Sequence, residues 1–337
     1  MRILIFQTAF LGDVILSTPV VENIKMLYKD AEIYTLTTPL AEVFFKYNPN
    51  VSKTLVYNKK QKGLKPFLEK LKEIKSYNFD MVFVLQKSYR TAVLLFLSRI
   101  KRRIGFKSAK FSFLHTDRVL RDTSRHDALR NLSILSKEKE RLNIKDDFKL
   151  DLKLYPASDD IIGKEFIEKI KNLGGYVLLS PGSVWNTKRW DADEYKALVK
   201  KLLENNFSVV LTGSKGEREL CDYIASDTKA LNLAGETSLE QTMYLASNAK
   251  GIVCNDSMML HLASAFKVPN VVVFCATVPE FGFGPWQNDR AVVVEDKSLK
   301  CRPCGRHGTK VCKTGTNACQ KISHIKVYES LMEMMNK

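Results

Sequence analysis

The stretch LIFQTAFLGDVILSTP, residues 4–19, decides the fold class at the start of the chain. Its apolar run predicts a buried β-strand, and a helical pattern begins at Asp13 after a short loop through Gly12. A strand that feeds a loop and then a helix is the repeating unit of a parallel α/β sheet. Asp13 therefore stands at the carboxyl end of a strand, where such sheets bind their ligands.

The same alternation continues outward from this stretch. In the first half, strands are expected at 2–7, 32–38, 52–58, 80–86 and 102–106, with helices at 13–28, 40–47, 66–76, 88–99 and 126–142. Pro19 is expected to bend the first of these helices. After a helix expected over 158–172 the pattern restarts with YVLLS, residues 176–180. We therefore predict two doubly wound, parallel-sheet α/β domains, 1–155 and 156–337, that face each other across a cleft. Asp13, the loop 181–188 and Asp256 are expected to line that cleft.

Composition limits the class of protein. The 337 residues are 45% hydrophobic, which is typical of a globular chain. The longest apolar runs fall well short of the roughly 20 residues that span a bilayer. The N-terminus runs directly into a strand without signal-peptide features, which predicts a cytoplasmic protein. The net charge of +16 favours an anionic partner, either nucleic acid, an acidic membrane face or a phosphorylated substrate. A solvated basic surface is the alternative.

Asp13 has two interpretations. An Asp after a glycine is often a helix N-cap. A carboxylate in a partly dry cleft can instead have its pKa raised enough to act as a general base.

The stretch SPGSVWNTKRW, residues 180–190, begins where a strand is expected to end. Gly182 and Ser183 offer backbone N–H groups in a tight loop, Thr187 adds a hydroxyl, and Lys188 and its neighbour add two cations. This chemistry suits a phosphate or diphosphate. The alternative is a basic surface loop before a helix. The P-loop motif of nucleotide-hydrolysing enzymes is absent from the sequence.

Further polar residues follow the other strands of the second half. Glu217 could accept hydrogen bonds from a ribose, or it could be a first-turn acid favoured by the helix dipole. Asp256 and Ser257 precede a helix whose N-terminus suits an anion, and His261 lies about one turn further, where a structural role is the alternative. The DAD triplet at 191–193 opens a helix, and we reject a metal-binding role for it.

The segment CRPCGRHGTKVCKTGTNAC, residues 301–319, carries four of the seven cysteines. Its thiols are Cys301, Cys304, Cys312 and Cys319. Their crowding suits a structural tetrahedral zinc site. Reduced or redox-active thiols are the alternative. Cys221, Cys254 and Cys275 lie in apolar stretches and are expected to pack as small hydrophobic residues.

In their order and spacing, several stretches resemble glycosyltransferase family 9, the ADP-heptose:lipopolysaccharide heptosyltransferases, and most of all its heptosyltransferase II type. They cover nearly the whole chain. The stretches are LGDVILSTPV (11–20), FDMVFVLQKSYRTAVL (79–94), RRIGF (102–106), HDALRNLSIL (126–135), SPGSVWNTKRW (180–190), LAGETSLEQT (233–242), NDSMMLHLASAFKVPNVVVF (255–274) and the cysteine-rich segment.

The resemblance implies a GT-B fold of two Rossmann-like domains, with the acceptor bound by the first and the donor by the second. It implies inverting, metal-independent transfer of a heptose or related sugar from an ADP-sugar to a lipopolysaccharide inner-core acceptor. No cofactor is then required for transfer. The anionic acceptor would hold the protein at the cytoplasmic face of the inner membrane as a peripheral protein, and no nucleic-acid partner is expected.

The resemblance also implies roles for single residues. Asp13 matches the general base, with Thr8 and Gly12 in the acceptor-side loop. In the donor domain the matching residues are Lys188 and Thr187 at the diphosphate, Glu217 at the ribose, Asp256 at the sugar, and Ser257 and His261 around it. Met258 departs from the family, which usually has glycine there, and this bears on the identity of the donor sugar.

Three alternatives stay open. One is a transferase of the same family that uses another nucleotide sugar or surface-glycan acceptor. The second is an NAD(P)-dependent oxidoreductase, against which the missing G-x-G-x-x-G after the first strand weighs. The third is a nucleic-acid-binding protein that uses the basic cysteine-rich segment.

Overall fold

The computed structural model describes residues 1–59, 61 and 63–337. The chain divides into two compact units, Met1–Tyr155 and Pro156–Lys337. Each unit is built on its own six-stranded parallel sheet. The predicted α/β class with two doubly wound sheets is confirmed.

The sheet of the first unit has a strand order that reverses in the middle. Its strands are β1 (Arg2–Phe6), β2 (Glu32–Thr37), β3 (Lys53–Val56), β4 (Met81–Val84), β5 (Arg102–Phe106) and β6 (Asp117–Val119). They pair in the order β3-β2-β1-β4-β5-β6, and every pair is parallel. The order reverses between β1 and β4, which is where doubly wound sheets bind ligands.

The helices of the first unit are α1 (Leu11–Ile15), α2 (Thr18–Leu27), α3 (Val43–Lys46), α4 (Leu64–Ser76), α5 (Tyr89–Leu97), α6 (Asp127–Leu132) and α7 (Ser136–Arg141). The helix expected over 13–28, with a bend at Pro19, is instead two helices, because the chain breaks between α1 and α2, just before that proline. Ser17 Oγ donates to the Val14 carbonyl at 2.7 Å in this break. Pro19 lies in the first turn of α2, where a missing N–H costs nothing.

The second unit repeats the same sheet. Its strands are β7 (Tyr176–Ser180), β8 (Ser208–Leu211), β9 (Leu231–Asn232), β10 (Gly251–Asn255), β11 (Asn270–Phe274) and β12 (Ala291–Glu295). They pair in parallel in the order β12-β11-β10-β7-β8-β9, which is the order of the first sheet read from the opposite edge. The reversal now lies between β7 and β10.

The helices of the second unit are α8 (Asp159–Ile162), α9 (Lys164–Lys171), α10 (Ala192–Glu204), α11 (Arg218–Ala225), α12 (Leu239–Asn248), α13 (Met258–Phe266) and α14 (His324–Asn336). The helix expected over 158–172 splits at Gly163, whose φ of +96° is open to glycine but strained for other residues. Asp191 caps α10 by accepting from the Asp193 N–H at 2.9 Å, so the DAD triplet opens a helix as predicted.

Both units bury apolar side chains on each face of their sheets. In the second unit Val177, Leu179, Val253 and Val271 belong to one core cluster with α10, α11 and α14. Cys221, Cys254 and Cys275 are completely buried, as predicted for small hydrophobic residues. Among the described residues, no helix combines the length and apolar character that crossing a membrane requires.

Candidate functional site

The reversal in the second sheet brings Lys188 and Asp256 together. Lys188 follows β7 and Asp256 follows β10, and Lys188 Nζ lies 2.6 Å from Asp256 Oδ2. Thr277 Oγ1, from the loop after β11, donates to the same oxygen at 2.7 Å. The two charged side chains are only 14% and 9% exposed. Sequence reasoning singled out both residues separately, and the structure shows that they form a buried ion pair.

Asn255 holds the loop that carries Lys188. Its Nδ2 donates to the Pro181 carbonyl at 2.8 Å, and its Oδ1 accepts from the Trp190 N–H at 2.9 Å. Asn255 is completely buried at the end of β10. One amide therefore fixes both ends of the lysine loop, residues 181–190. Sequence reasoning missed this residue, although a polar side chain that ends an apolar strand is a usable signal.

Arg189 fixes the middle of the lysine loop. Its Nε and Nη2 donate to the Ser183 carbonyl at 2.9 and 2.8 Å. The guanidinium of Arg189 therefore closes the loop on itself, and its expected contact with a phosphate stays a prediction. Ser183 is buried beneath it. Lys188 is the cation of this loop that forms the ion pair with Asp256.

The cysteine-rich segment 301–319 lies against the lysine loop. Thr187 Oγ1 donates to the Thr309 carbonyl at 2.9 Å and accepts from the Thr309 N–H at 2.8 Å. Gln320 Nε2, just past the segment, donates to the carbonyls of Asn186 and Arg189 at 2.8 and 2.7 Å. The Thr187 hydroxyl, expected at the diphosphate, thus bonds the segment to the loop.

The four thiols of this segment lie in different environments. Hydrogen bonds, first from the Thr314 hydroxyl, lower the pKa of Cys312 to about 7, whereas burial raises that of Cys319 to about 11. All seven cysteines of the chain are free thiols. Within the described part of the chain, no group of three or more His, Cys, Asp or Glu side chains is arranged to hold a metal ion. A structural zinc in this segment stays a prediction.

The N-terminus of α13 lies beside the ion pair. Ser257 has an extended backbone and does not cap the helix with its side chain. Its Oγ is buried and has no hydrogen-bond partner among the residues that the structure describes. A buried hydroxyl of this kind is normally satisfied, so a ligand oxygen is the partner we expect. His261 lies buried one turn into α13.

Glu217 occupies a short turn after β8. Its Oε2 accepts from the backbone N–H and the hydroxyl of Ser214, at 2.7 and 2.8 Å. Its other oxygen faces Gly182, where a Cβ would come within 1.9 Å of it. Glycine at 182 therefore lets this carboxylate approach the lysine loop. The local bonds explain why an acid stands here, and they leave Oε1 beside the glycine.

Around the reversal of the first sheet the structure places Asp13, Gly12 and Thr8. Asp13 lies in the first turn of α1 and is partly exposed, while Phe10 occupies the N-cap position. The N-cap interpretation of Asp13 is therefore wrong. Thr8 is buried after β1, and its Oγ1 has no hydrogen-bond partner within the described residues. The two predicted acceptor-side residues thus lie close to the start of α1, Thr8 before it and Gly12 in its first turn.

A polar chain that sequence reasoning missed crosses the same reversal. Gln86, after β4, donates to Gln7 after β1 at 2.8 Å, and it accepts from Lys59 Nζ at 2.9 Å. Burial, helped by the charge of Arg90, lowers the pKa of Lys59 to about 8. Lys59 follows β3, so its position at a strand carboxyl end was the signal that could have identified it.

The family model for glycosyltransferase family 9 (heptosyltransferase) matches residues 68–314. Lipooligosaccharide heptosyltransferase 2 of Campylobacter jejuni is 27% identical over 328 residues, which cover 95% of this chain and 94% of that protein. Lipopolysaccharide heptosyltransferase 3 of Escherichia coli is 29% identical over 294 residues, which cover 82% of each.

Solved structures match the fold over almost the whole chain. A family 9 glycosyltransferase from Veillonella parvula has a TM-score of 0.84 at 21% identity, covering 99% of this chain and 97% of that one. E. coli ADP-heptose lipopolysaccharide heptosyltransferase II has a TM-score of 0.81 at 20% identity, covering 100% and 99%. The expected GT-B class of fold, with two Rossmann-like sheets, is confirmed. Since the family model spans well over half of the residues, the chain belongs to glycosyltransferase family 9, the heptosyltransferases.

Proposed function

We propose that this glycosyltransferase transfers a heptose from ADP-heptose to a lipopolysaccharide inner-core acceptor. The observation that carries the proposal is the Lys188–Asp256 pair at the reversal of the second sheet, beside the N-terminus of α13. A cation, a carboxylate and the N–H groups of a helix N-terminus together suit a sugar linked to a diphosphate. The names of the matched relatives, lipooligosaccharide and lipopolysaccharide heptosyltransferases, support the choice of sugar and acceptor.

In this proposal the second unit binds the donor. Lys188 and the N–H groups that begin α13 hold the diphosphate, together with the backbone of Gly182 and Ser183. Glu217 accepts from the adenosine ribose through the oxygen beside Gly182. Asp256, with Ser257 and His261, binds hydroxyls of the sugar, which satisfies the buried Ser257 Oγ. Thr187 acts indirectly, by bonding the cysteine-rich segment to the lysine loop.

The proposed transfer is a single displacement. Asp13 takes the proton of an acceptor hydroxyl as that oxygen attacks the anomeric carbon of the donor. The new oxygen–carbon bond forms on the face opposite the leaving group, so the anomeric configuration inverts. The bond from the anomeric carbon to the diphosphate oxygen breaks, and its electron pair leaves with ADP. Lys188 and the N–H groups stabilise that charge, and preorganised donors of this kind supply about 3 kcal/mol each.

The transfer as proposed needs no metal ion, because Lys188 and helical N–H groups meet the leaving charge. The acceptor carries a lipid anchor and phosphates, so the enzyme works at the cytoplasmic face of the inner membrane as a peripheral protein. Its net charge of +16 supports this location, since each well-placed cation adds about 1 kcal/mol at an anionic surface. A structural zinc in the cysteine-rich segment is tested separately by elemental analysis of the purified protein.

A donor screen tests the proposal. The purified chain is incubated with a heptose-acceptor core and with ADP-heptose, or with ADP-, UDP- or GDP-hexoses, in the presence and absence of EDTA. We expect transfer from ADP-heptose that EDTA leaves intact, and NMR of the product should show inverted anomeric configuration. Retention of configuration, or activity abolished by EDTA and restored by a divalent cation, would contradict the mechanism.

Met258 supports a second candidate, a transferase of the same family with another nucleotide sugar. It is the first residue of α13, where the family usually has glycine, and its side chain is partly buried next to Ser257. A side chain at this position narrows the space for a donor sugar. Faster transfer from another nucleotide sugar in the same screen, together with slower transfer of heptose, would favour this candidate. The Met258→Gly variant should then gain activity with ADP-heptose.

A further inference from the structure

More than half of the net charge lies in one stretch of the first unit. Residues 87–125 contain eleven Lys and Arg against two Asp, which is a net charge of +9 out of the +16 of the whole chain. Asp and Glu are absent from 81–116. This stretch includes α5, β5 and the loop to β6. Lys107, Lys110 and Arg118 are among its exposed cations.

Within this basic stretch α5 presents an apolar face to solvent. Tyr89, Phe96 and Leu97 are 56%, 48% and 42% exposed. Positions seven and eight residues apart share one face of a helix. Leu94 and Leu95 on the other side are completely buried and fix the helix to the core. α5 is therefore apolar on both faces, and its outer face is left uncovered within the described chain.

The loop between β5 and β6 extends this apolar face. Phe111 and Phe113 are 47% and 69% exposed. The ring of Phe111 lies 5.9 Å from that of Tyr89 and 5.6 Å from that of Phe113, measured between centroids. The Lys110 N–H donates to the Lys87 carbonyl at 3.1 Å and ties the loop to the start of α5. We call Tyr89, Phe96, Leu97, Phe111 and Phe113 the aromatic patch.

The backbone at Phe111, within this patch, is conformationally strained. Phe111 has φ of +58° and ψ of +37°, in the left-handed region. A bulky residue there is a conformational outlier, and such outliers persist where the surrounding structure imposes them and cluster at functional sites. Below the loop His115 is buried. Arg103 lies over the Phe96 ring at 5.6 Å and donates to the Leu114 carbonyl at 3.0 Å, which links the two halves of the patch.

We propose that the aromatic patch and the cations around it form the surface by which this enzyme docks on an anionic lipid bilayer. Aromatic rings surrounded by Lys and Arg suit the boundary between headgroups and acyl chains. Leu97 favours a bilayer over a single-stranded nucleic acid, because an aliphatic side chain offers a base no ring to stack on. The proposal deepens the acceptor assignment above and rests on it, since a lipid-anchored acceptor is reached at a membrane surface.

Vesicle sedimentation tests the proposal with the full chain. The vesicles contain phosphatidylcholine with 30% phosphatidylglycerol, or phosphatidylcholine alone, and neither holds donor or acceptor. We expect the chain to prefer the anionic vesicles, and the Phe111→Ser, Phe113→Ser variant to bind them about tenfold more weakly because apolar contact is lost. Lys107→Gln, Lys110→Gln should lower the affinity by about fivefold for each cation removed.

Two matched controls come from the second unit. Ile161→Ser, Ile325→Ser removes two exposed apolar residues, and Lys169→Gln, Lys171→Gln removes two exposed cations. Both should bind vesicles like the unmodified chain. Phe111→Gly separates docking from folding, because glycine adopts the left-handed conformation without strain. This variant should keep or raise the melting temperature and still lose vesicle affinity.

Wild-type binding by both the double Phe variant and Phe111→Gly would overturn the proposal. So would equal binding to neutral vesicles, or a chain that ignores vesicles and binds a single-stranded oligonucleotide through the patch. Failure of the proposed function gives a different result. The patch variants should keep full activity on a delipidated, water-soluble acceptor, whereas a wrong donor or acceptor would abolish activity in the unmodified chain and leave vesicle binding intact.

Discussion

The two sheets of this enzyme share one strand order and differ in what they place at its reversal. Between β1 and β4 the first sheet presents Asp13 with a chain of amides that ends in a lysine of lowered pKa. Between β7 and β10 the second presents the Lys188–Asp256 pair beside a helix N-terminus. The shared topology fixes where ligands bind. The loops after the strands supply the chemical groups. We assign removal of the acceptor proton to the first reversal and stabilisation of the leaving diphosphate's charge to the second.

The largest effect is expected from Asp13→Asn, which keeps the shape of the side chain and removes its basicity. General bases contribute about 10²- to 10⁴-fold, so kcat should fall by about a thousandfold while ADP affinity, set by the second unit, stays unchanged. Steady-state kinetics and calorimetric ADP titration measure the two effects.

Asp159→Asn is the control for that variant. Asp159 also lies in a first helical turn, that of α8, and is exposed. It should retain full activity. If Asp13→Asn kept more than a tenth of the activity, the assignment of the general base to the first reversal would be wrong.

The next effect concerns the ion pair. Lys188→Met should weaken ADP binding by about 10- to 100-fold, because one charge-assisted contact is lost. It should also lower the free energy of unfolding by about 3 kcal/mol, since Asp256 stays buried without its partner. The double variant Lys188→Met, Asp256→Asn should recover most of that stability and none of the affinity. Denaturant unfolding and ADP titration separate the two roles, and unchanged affinity in the single variant would remove Lys188 from the donor site.

A smaller effect is expected where the cysteine-rich segment joins the lysine loop. Thr187→Val leaves the Thr309 N–H without its acceptor, which should cost about 1–3 kcal/mol of stability and weaken donor binding severalfold. Thr309→Val is the matched control, because the two shorter bonds of the Thr187 hydroxyl use the Thr309 backbone and survive it. It removes only the contacts of the Thr309 hydroxyl, with Thr187 Oγ1 at 3.4 Å and with the Val311 carbonyl at 2.8 Å. Equal losses in both variants would show that the contact between the two hydroxyls, rather than the bonds of the Thr187 hydroxyl to the Thr309 backbone, holds the loop.

The smallest effect depends on pH. The Lys59 ammonium titrates near 10.5 in the unfolded chain and near 8 in the fold, because burial disfavours its charge. Stability from the neutral amine is present above pH 10.5 and is lost as the pH falls through 8. Lys59→Met should therefore stabilise the fold by about 1 kcal/mol at pH 7 and by less at pH 10. Urea unfolding at both pH values checks this, with exposed Lys171→Met as a control that shows no trend.

Sequence patterns predicted most of the long elements and missed β12 (Ala291–Glu295) as well as the short strands. The apolar runs of β1, β7 and β10 and the periodic helices were identifiable because burial imposes them. β6 and β9 contain three and two residues, which is too short for any periodicity. Pro19 indicated a bend in the first helix, but the break at Ser17 also depends on a local hydrogen bond and the break at Gly163 on a positive φ, which an apolar pattern does not encode.

The site was predictable as a set of positions and less so as a set of contacts. Asp13, Lys188 and Asp256 could be identified because polar residues after buried strands stand at ligand-binding edges. That Lys188 pairs with Asp256, and that Arg189 closes its own loop, depends on side-chain directions that spacing does not encode. Asn255 and Lys59 stand at the same kind of position and were missed, because position at a strand end does not show which contacts a side chain makes.

Asn255 has one further consequence for catalysis. A single buried amide bonds the chain at both ends of the lysine loop. The loop therefore loses its conformational entropy when the protein folds, and nucleotide binding does not carry that cost. Donor binding should therefore be fast and should produce little rearrangement. In the proposed function this preordered loop meets the diphosphate, so the choice of sugar falls to Asp256, Ser257 and Met258 at the start of α13.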